Sequence, residues 1–275
     1  MSYYRILGLE KEPFSTSPDP EFLYESSEHK SVLYRLGVMI ELKRGLSTIL
    51  GEVGTGKTTL LRRLLEIFSN EDKYIIKVIL DPTSKSEYAF LSKLGEAFSL
   101  KPGFRSISNY KRVLENFIFD AALKNNKTIV LFIDEAQKLS FESLEVLRLL
   151  LNYETNKIKL IQIVLFAQME LLPRIRSIKN LWDRIALKYV INPLEEDEVK
   201  EMINFRLKQA GYISRYPLFS DSAINAIYNY TQGYPRKITM FCHDALEYLV
   251  MHKKEIVDKD VIQDLIQREV KLVRQ

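Results

Sequence analysis

The sequence predicts an α/β fold in which a five-stranded parallel sheet is covered by helices on both faces and followed by an all-helical domain. Short β-branched and apolar runs alternate with helical patterns through most of the chain, and the strand signal stops near Pro193. The 275 residues are 46% hydrophobic and 28% charged, which is typical of a soluble globular protein with a sizeable core. The predicted strands are 47–50, 74–80, 128–133, 160–166 and 186–191.

Helices are predicted before, between and after these strands. A loop-rich entry leads into a helix over 27–43, where apolar residues recur at helical spacing. The other predicted helices are 57–68, 86–98, 108–124, 141–153 and 169–178 between strands, then 196–210, 220–230, 235–252 and 258–275. We therefore expect three parts: residues 1–45 as an entry segment and helix packed on the core, 46–192 as the α/β domain, and 193–275 as the helical domain.

Charge and cysteine content exclude some functional classes. The formal net charge of +4 comes from 40 basic and 36 acidic residues and is a weak indication of an anionic partner. Basic residues concentrate between 157 and 188, which suits either an anion-binding surface or a solvated face. A single cysteine excludes a disulfide within the chain, and the three histidines lack metal-like spacing, so we expect no transition-metal site. No signal peptide or membrane-length apolar run is present, which predicts a cytoplasmic protein without a membrane span of its own.

A glycine-rich stretch, "LGEVGTGKTTL", carries the clearest chemical signal. Its segment 51–58 fits the pattern G-x-x-x-x-G-K-[ST] and lies directly between a predicted strand and a predicted helix. Glycines let consecutive backbone N–H groups surround a phosphate, and the helix N-terminus adds partial positive charge. Lys57 is expected to reach the β- and γ-phosphates, and the Thr58 hydroxyl to bind Mg²⁺. The predicted binding residues are Gly51, Glu52, Val53, Gly54, Thr55, Gly56, Lys57, Thr58 and Thr59.

A pair of acidic residues follows the third predicted strand, in "TIVLFIDEAQKL". Asp134 and Glu135 would stand at the carboxyl end of a buried strand, where open α/β sheets bind ligands. We expect Asp134 to hold Mg²⁺ through water and Glu135 to orient and deprotonate the attacking water. Such a pair alone is a weak signal, but together with the phosphate loop it predicts a nucleotide hydrolase.

These motifs, with "VLFAQMELL", "WDRIALKYVINPL" and "TQGYPRKI", resemble those of AAA+ ATPases. The opening "YRILGLEKEPFSTSPDPEFLY" is similar to that of the ExeA/GspA-type (general secretion pathway A-like) branch. The resemblance runs from about Tyr3 to the last helices. It implies a P-loop NTPase αβα sandwich followed by an all-α AAA+ lid domain, with ATP as substrate and Mg²⁺ as cofactor.

The resemblance also implies three further site residues. Gln168 matches the sensor 1 position, which helps to place the γ-phosphate or the water. Arg184 matches the arginine presented to the nucleotide of a neighbouring subunit, although Arg174 or Arg176 could fill that role instead. Arg236, at a predicted helix start, matches sensor 2, which touches the γ-phosphate from the lid.

The resemblance implies an oligomer, either a hexameric ring or a helical filament, and leaves three biological roles open. The first is assembly or remodelling of a secretion or pilus-type envelope machine, with a membrane or envelope protein as partner and a cytoplasmic location at the inner membrane through that partner. The second is a DNA-binding regulator of transposition similar to TniB/TnsC and MuB-type proteins, with duplex DNA and a transposition protein as partners. The third is a nucleotide-dependent scaffold or switch, against which an intact Asp134/Glu135 pair argues.

Overall fold

The computed structural model describes residues 2–17 and 19–273, which fall into two units. One unit, Glu28–Val53 with Leu60–Ile191, contains the sheet. The other contains Met1–Ser27, Gly54–Thr59 and Asn192–Gln275 and is helical. The strands are β1 Leu46–Leu50, β2 Tyr74–Ile79, β3 Thr128–Ile133, β4 Ile161–Ala167 and β5 Ile185–Val190. The helices are α1 Tyr3–Ile6, α2 Ser27–Glu41, α3 Lys57–Ser69, α4 Glu87–Ala97, α5 Ile107–Phe119, α6 Phe141–Leu150, α7 Leu171–Ser177, α8 Lys179–Trp182, α9 Glu196–Gln209, α10 Asp221–Thr231, α11 Pro235–Met251 and α12 Lys259–Val273.

The five strands form one parallel sheet in the order β2-β3-β4-β1-β5. Every residue of β1, β3 and β4 is buried, which explains why these strands are mostly apolar and show no regular alternation of apolar and polar residues. Within β3, Ile129, Leu131 and Ile133 face one hydrophobic core, and Val130 and Phe132 face the other. The predicted five-stranded parallel sheet is confirmed.

Helices cover both faces of the sheet. On one face, α2 and α3 bury residues such as Val32, Leu36 and Leu64 against the strands. On the other face, α4, α5 and α6 bury residues such as Leu91 and Leu147. The two cores make an αβα sandwich, and the phosphate-loop helix α3 lies in one of its outer layers.

The helical unit has its own core, and the beginning of the chain contributes to it. Leu9, Phe14 and Phe22 are buried among apolar residues of α9, α10, α11 and α12. Arg206 of α9 donates hydrogen bonds to the backbone oxygens of Phe22 and Pro13, at 3.1 and 3.3 Å, and burial lowers the pKa of its guanidinium to about 10. The residues before α2 therefore pack with the helical unit, and α2 packs on the sheet.

Two predicted helices differ from the observed ones. The helix expected over 108–124 is α-helical only to Phe119, and Asp120–Lys124 forms a wider π turn in which the Asn125 N–H donates to the Asp120 carbonyl. The helix expected over 169–178 is observed as the shorter α7, and a further short helix, α8, follows it. Among the described residues, no helix combines the length and apolar character that crossing a membrane requires.

Candidate functional site

The phosphate loop occupies the turn from β1 into α3. The Gly51 N–H donates to the Ala167 carbonyl at 3.1 Å, which ends β1 alongside β4. Gly54 and Gly56 have φ of +86° and +93°, a backbone region that side chains disfavour. Lys57 is the first residue of α3 and is 7% exposed. The predicted loop thus has the predicted position between strand and helix, with glycine at two left-handed positions.

Arg236 contacts this loop through its backbone. It is the second residue of α11, after Pro235, and its N–H donates to the Gly54 carbonyl at 3.2 Å. A Cβ atom on Gly54 would lie only 2.9 Å from the Cβ atom of Arg236. Gly54 is therefore required twice, once for its backbone angle and once for this close approach. The predicted helix start is confirmed, and the sensor 2 role of Arg236 stays a prediction.

The acidic pair follows β3 at the same edge of the sheet from which the phosphate loop leaves. The register pairs Ile133 with Leu165 of β4 and Leu50 with Ala167 of β4, so β1, β3 and β4 end side by side. Asp134 is 4% exposed, and its N–H donates to the Ile79 carbonyl at 2.9 Å. This burial fits a carboxylate that binds a ligand at the carboxyl ends of the strands.

Glu135 has a strained backbone. Its φ of +51° and ψ of +34° place a non-glycine residue in the left-handed region, which is uncommon and often found at functional sites. The Asp134 carboxylate accepts a hydrogen bond from the Glu135 N–H at 2.9 Å, which fixes the turn. The left-handed backbone of Glu135 thus ends the extended conformation of β3, and the 3-10 turn Ala136–Lys138 follows.

Gln137 connects two of the predicted catalytic residues. Its side-chain Nε2 donates to the Glu135 carboxylate at 2.8 Å, and its Oε1 accepts from the Gln168 N–H at 3.2 Å. Gln137 is 8% exposed and lies on a single 3-10 turn, Ala136–Lys138. The sequence analysis missed Gln137, because a glutamine in a short polar segment has no periodicity that would mark it as buried.

The three candidate arginines have different surroundings. Arg174 donates from Nη1 to the backbone oxygens of Gln137 and Leu139, at 2.7 and 3.2 Å, and so stabilises the turn that carries Glu135. The Arg176 guanidinium lies over the Trp182 ring, 5.0 Å from its centroid. Arg184 donates from Nη1 to the Arg148 carbonyl at 3.2 Å and to the side-chain oxygen of Asn152. Arg148 lies in the last turn of α6, and Asn152 follows that helix.

Other basic residues of the 157–188 stretch also have intrachain partners. Lys159 pairs with Glu154, and this hydrogen bond holds the pKa of the Glu154 carboxyl below its usual range. The Lys188 ammonium lies 4.0 Å from the centroid of the Trp182 ring. Two exposed cations, Arg176 and Lys188, therefore lie against the same Trp182 ring.

Comparison with known proteins identifies the family. A family model described as an AAA domain matches residues 40–175. General secretion pathway protein A of Aeromonas hydrophila is 36% identical to the chain over 249 residues. The chain belongs to the AAA ATPases of the general secretion pathway A type. The match covers 89% of this chain and 44% of that relative, so the chain spans less than half of the relative's length.

Solved structures agree on the fold of this AAA ATPase. The Aeropyrum pernix ORC2 protein in ADPNP–ADP complexes matches with a TM-score of 0.67 and 16% identity, over 94% of this chain and 71% of that one. Drosophila ORC bound to DNA matches with a TM-score of 0.66 and 18% identity, over 94% of this chain and 66% of that one. The Thermotoga maritima RuvB Holliday junction branch migration motor matches with a TM-score of 0.59 and 17% identity, over 90% of this chain and 72% of that one. At such identities the likeness shows the fold alone, which is that of P-loop AAA+ ATPases.

Proposed function

We propose that this AAA ATPase binds ATP with Mg²⁺, hydrolyses it as an oligomer, and couples the cycle to assembly or remodelling of a secretion or pilus-type envelope machine. The observation that carries the ATP-binding part is the loop between β1 and α3, where Gly54 and Gly56 adopt left-handed angles immediately before a buried lysine. Such a loop directs backbone N–H groups at phosphate oxygens and places them at a helix N-terminus.

The side chains present fit a magnesium–nucleotide complex. The buried Asp134 carboxylate and the Thr58 hydroxyl at the start of α3 are the hard oxygen donors that Mg²⁺ prefers. When bound, Mg²⁺ would neutralise charge on the phosphate oxygens. Lys57 would add a fixed positive charge for the β- and γ-phosphates.

Glu135 is proposed as the general base. Its left-handed backbone, supported by the Asp134 carboxylate, turns it out of the strand, and Gln137 holds one of its carboxylate oxygens at 2.8 Å. A base held in one orientation loses less entropy when it takes a proton from the attacking water. Gln168, tied to the same glutamine, is proposed to sense the γ-phosphate.

Arg184 is proposed to act on the nucleotide of a neighbouring subunit, which is why activity should require an oligomer. Its two observed bonds orient the guanidinium without using all five of its N–H donors. Arg174 is less suited, because its guanidinium already binds the backbone of the Glu135 turn. In trans, such an arginine supplies positive charge to the phosphoryl-transfer transition state.

Nucleotide assays on three variants test this assignment. Lys57→Ala should lose ATP binding, Glu135→Gln should bind ATP without turnover, and Arg184→Ala should bind ATP but lose turnover. Arg176→Ala is the matched comparison, because Arg176 is the alternative candidate and its guanidinium stacks on Trp182; our assignment predicts that this variant keeps its turnover. Normal hydrolysis by Arg184→Ala would refute the shared active site.

The envelope role rests on the 36% identity to General secretion pathway protein A. Measuring the ATPase rate and particle size with and without duplex DNA, across a salt series, separates this role from transposition. Our proposal predicts a rate and an assembly that are indifferent to DNA. Filaments that form only on DNA, with a steep salt dependence, would instead support the transposition alternative.

A further inference from the structure

Helix α11 carries three potential metal ligands that the nucleotide site does not use. His243, Asp244 and Glu247 each offer one ligand atom, and these atoms all lie within 4.8 Å of one another. His243 and Glu247 are one helical turn apart and therefore share a face of α11. No transition-metal site was expected from the sequence, because the histidines show no metal-like spacing with cysteine or acidic residues; the helical spacing of His243 and Glu247 is the observation that revises this expectation.

The distance between the two side chains suits a metal. The His243 Nε2 atom lies 3.5 Å from the Glu247 Oε1 atom. Zinc binds imidazole nitrogen at about 2.0–2.1 Å and carboxylate oxygen at about 2.0–2.2 Å, so neighbouring ligand atoms of a tetrahedral site are about 3.3–3.5 Å apart. The exposed Asp244 carboxylate offers a third ligand atom, within 4.8 Å of the other two.

The other nitrogen of His243 is held from the N-terminal segment. Its Nδ1 atom lies 3.2 Å from the Glu12 carboxylate and 3.0 Å from the Tyr3 hydroxyl. A metal-binding histidine commonly donates its second N–H to a carboxylate, which fixes the tautomer and strengthens the ligand. Glu12 therefore stands where such a supporting carboxylate is expected.

The charges around His243 favour a cation. The Glu12 carboxylate lies 3.2 Å from its Nδ1 atom, the Glu247 carboxylate lies 3.5 Å from its Nε2 atom, and the Asp244 carboxylate belongs to the same cluster. Several carboxylates thus share one small region, and a bound divalent ion would offset their repulsion.

Access to this cluster is open, and a competing thiol is absent from it. His243 and Glu247 are 30% and 50% exposed in their side chains, so an ion can enter from solvent. The neighbouring Cys242 is fully buried, so its thiol is not accessible to an ion that enters from solvent. The donors that remain are one imidazole and two carboxylates.

We propose that His243, Glu247 and Asp244 form a binding site for a divalent metal ion of the zinc class, with Glu12 orienting the imidazole. This site is separate from the proposed Mg²⁺ ligands Thr58 and Asp134. An ion bound here would tie the segment that contains Glu12 to α11 and stabilise the helical unit.

Titration of the full chain with Zn²⁺ and with Co²⁺, without nucleotide and in excess Mg²⁺, tests the proposal. We expect one ion per chain by calorimetry, a tetrahedral Co²⁺ absorption band, and a higher Tm with Zn²⁺. His243→Ala should abolish all three, Glu247→Gln and Asp244→Asn should each weaken binding at least about tenfold, and Glu12→Gln should weaken it about 10–100-fold. Glu247 is half-exposed, so the conservative Glu247→Gln change should leave the fold intact.

Two further variants serve as controls. His252→Asn removes the histidine at the C-terminal end of α11, which stacks on Tyr248, and should retain wild-type zinc affinity. Asp134→Asn should also retain it, because the ion does not depend on the nucleotide site. Unchanged affinity in Glu247→Gln would mean that a lone imidazole binds the ion, and lost affinity in Asp134→Asn would place it at the nucleotide site. Either result would overturn the proposal.

Discussion

Replacement of Gly54 by alanine tests the geometry of the phosphate loop. At φ +86° an alanine pays about 1–2 kcal/mol for a left-handed backbone. The new Cβ atom would also lie 2.9 Å from the Arg236 Cβ atom, which is too close without a shift of the backbone. Overpacking of this kind costs about 1–3 kcal/mol. We therefore expect Gly54→Ala to lose about 2–5 kcal/mol of unfolding free energy and to lose nucleotide affinity.

Two other glycines separate these contributions. Gly8 has φ +76° with nothing within 4 Å of an added Cβ, so Gly8→Ala should cost only the backbone strain, about 1–2 kcal/mol. Gly103 lacks both a positive φ and a close neighbour, so Gly103→Ala should be neutral or stabilise by about 0.4–1 kcal/mol. Urea denaturation followed by circular dichroism measures all three. This explanation of the loop is refuted if Gly54→Ala loses no more unfolding free energy than Gly8→Ala, or if the Gly54→Ala protein binds ATP with wild-type affinity.

Three further predictions concern other parts of the chain. Gln137→Ala should lower ATP turnover by about tenfold to a hundredfold and leave nucleotide affinity near wild type, because it removes the hydrogen bonds to Glu135 and Gln168 without changing the phosphate loop. Gln209→Ala is the control. Equal losses in turnover and affinity would contradict a positioning role for Gln137. The Asp258 carboxylate accepts a hydrogen bond from the Val261 N–H at the start of α12, and this bond lowers the pKa of Asp258 below the usual 3.8. Its stabilisation of the fold, about 1 kcal/mol, should be complete above pH 3.8 and disappear as the pH falls through the lowered pKa of the folded state. Asp258→Asn should show no such loss in acid denaturation. Cys242 is fully buried with a raised thiol pKa, so an alkylating reagent should modify it only after unfolding, and rapid labelling of the native chain would show that α11 opens.

The sheet and the phosphate loop could be predicted because their physical requirements act locally. Strands such as β3 are buried on both faces, so the requirement for apolar residues applies to each of their positions. The loop has positive φ at Gly54 and Gly56, where glycine is favoured, and these glycines occur at a fixed spacing that can be recognised in the sequence.

The remaining features depend on contacts between distant parts of the chain. Leu9, Phe14 and Phe22 are single apolar residues in a loop-rich segment, and without a period they do not indicate which core they join. Gln137 became recognisable only when β3 and β4 placed Glu135 and Gln168 on either side of it. The same holds for Glu12, whose carboxylate meets His243 only in the folded helical unit.

The most direct test of the central claim is single-turnover ATP hydrolysis in Mg²⁺, measured together with ATP binding, for the wild-type chain and for Glu135→Gln. The account predicts that both proteins bind ATP with similar affinity, that only the wild type hydrolyses it, and that its rate per subunit rises with protein concentration. Hydrolysis by Glu135→Gln at the wild-type rate, or a wild-type chain that does not bind ATP, would contradict it.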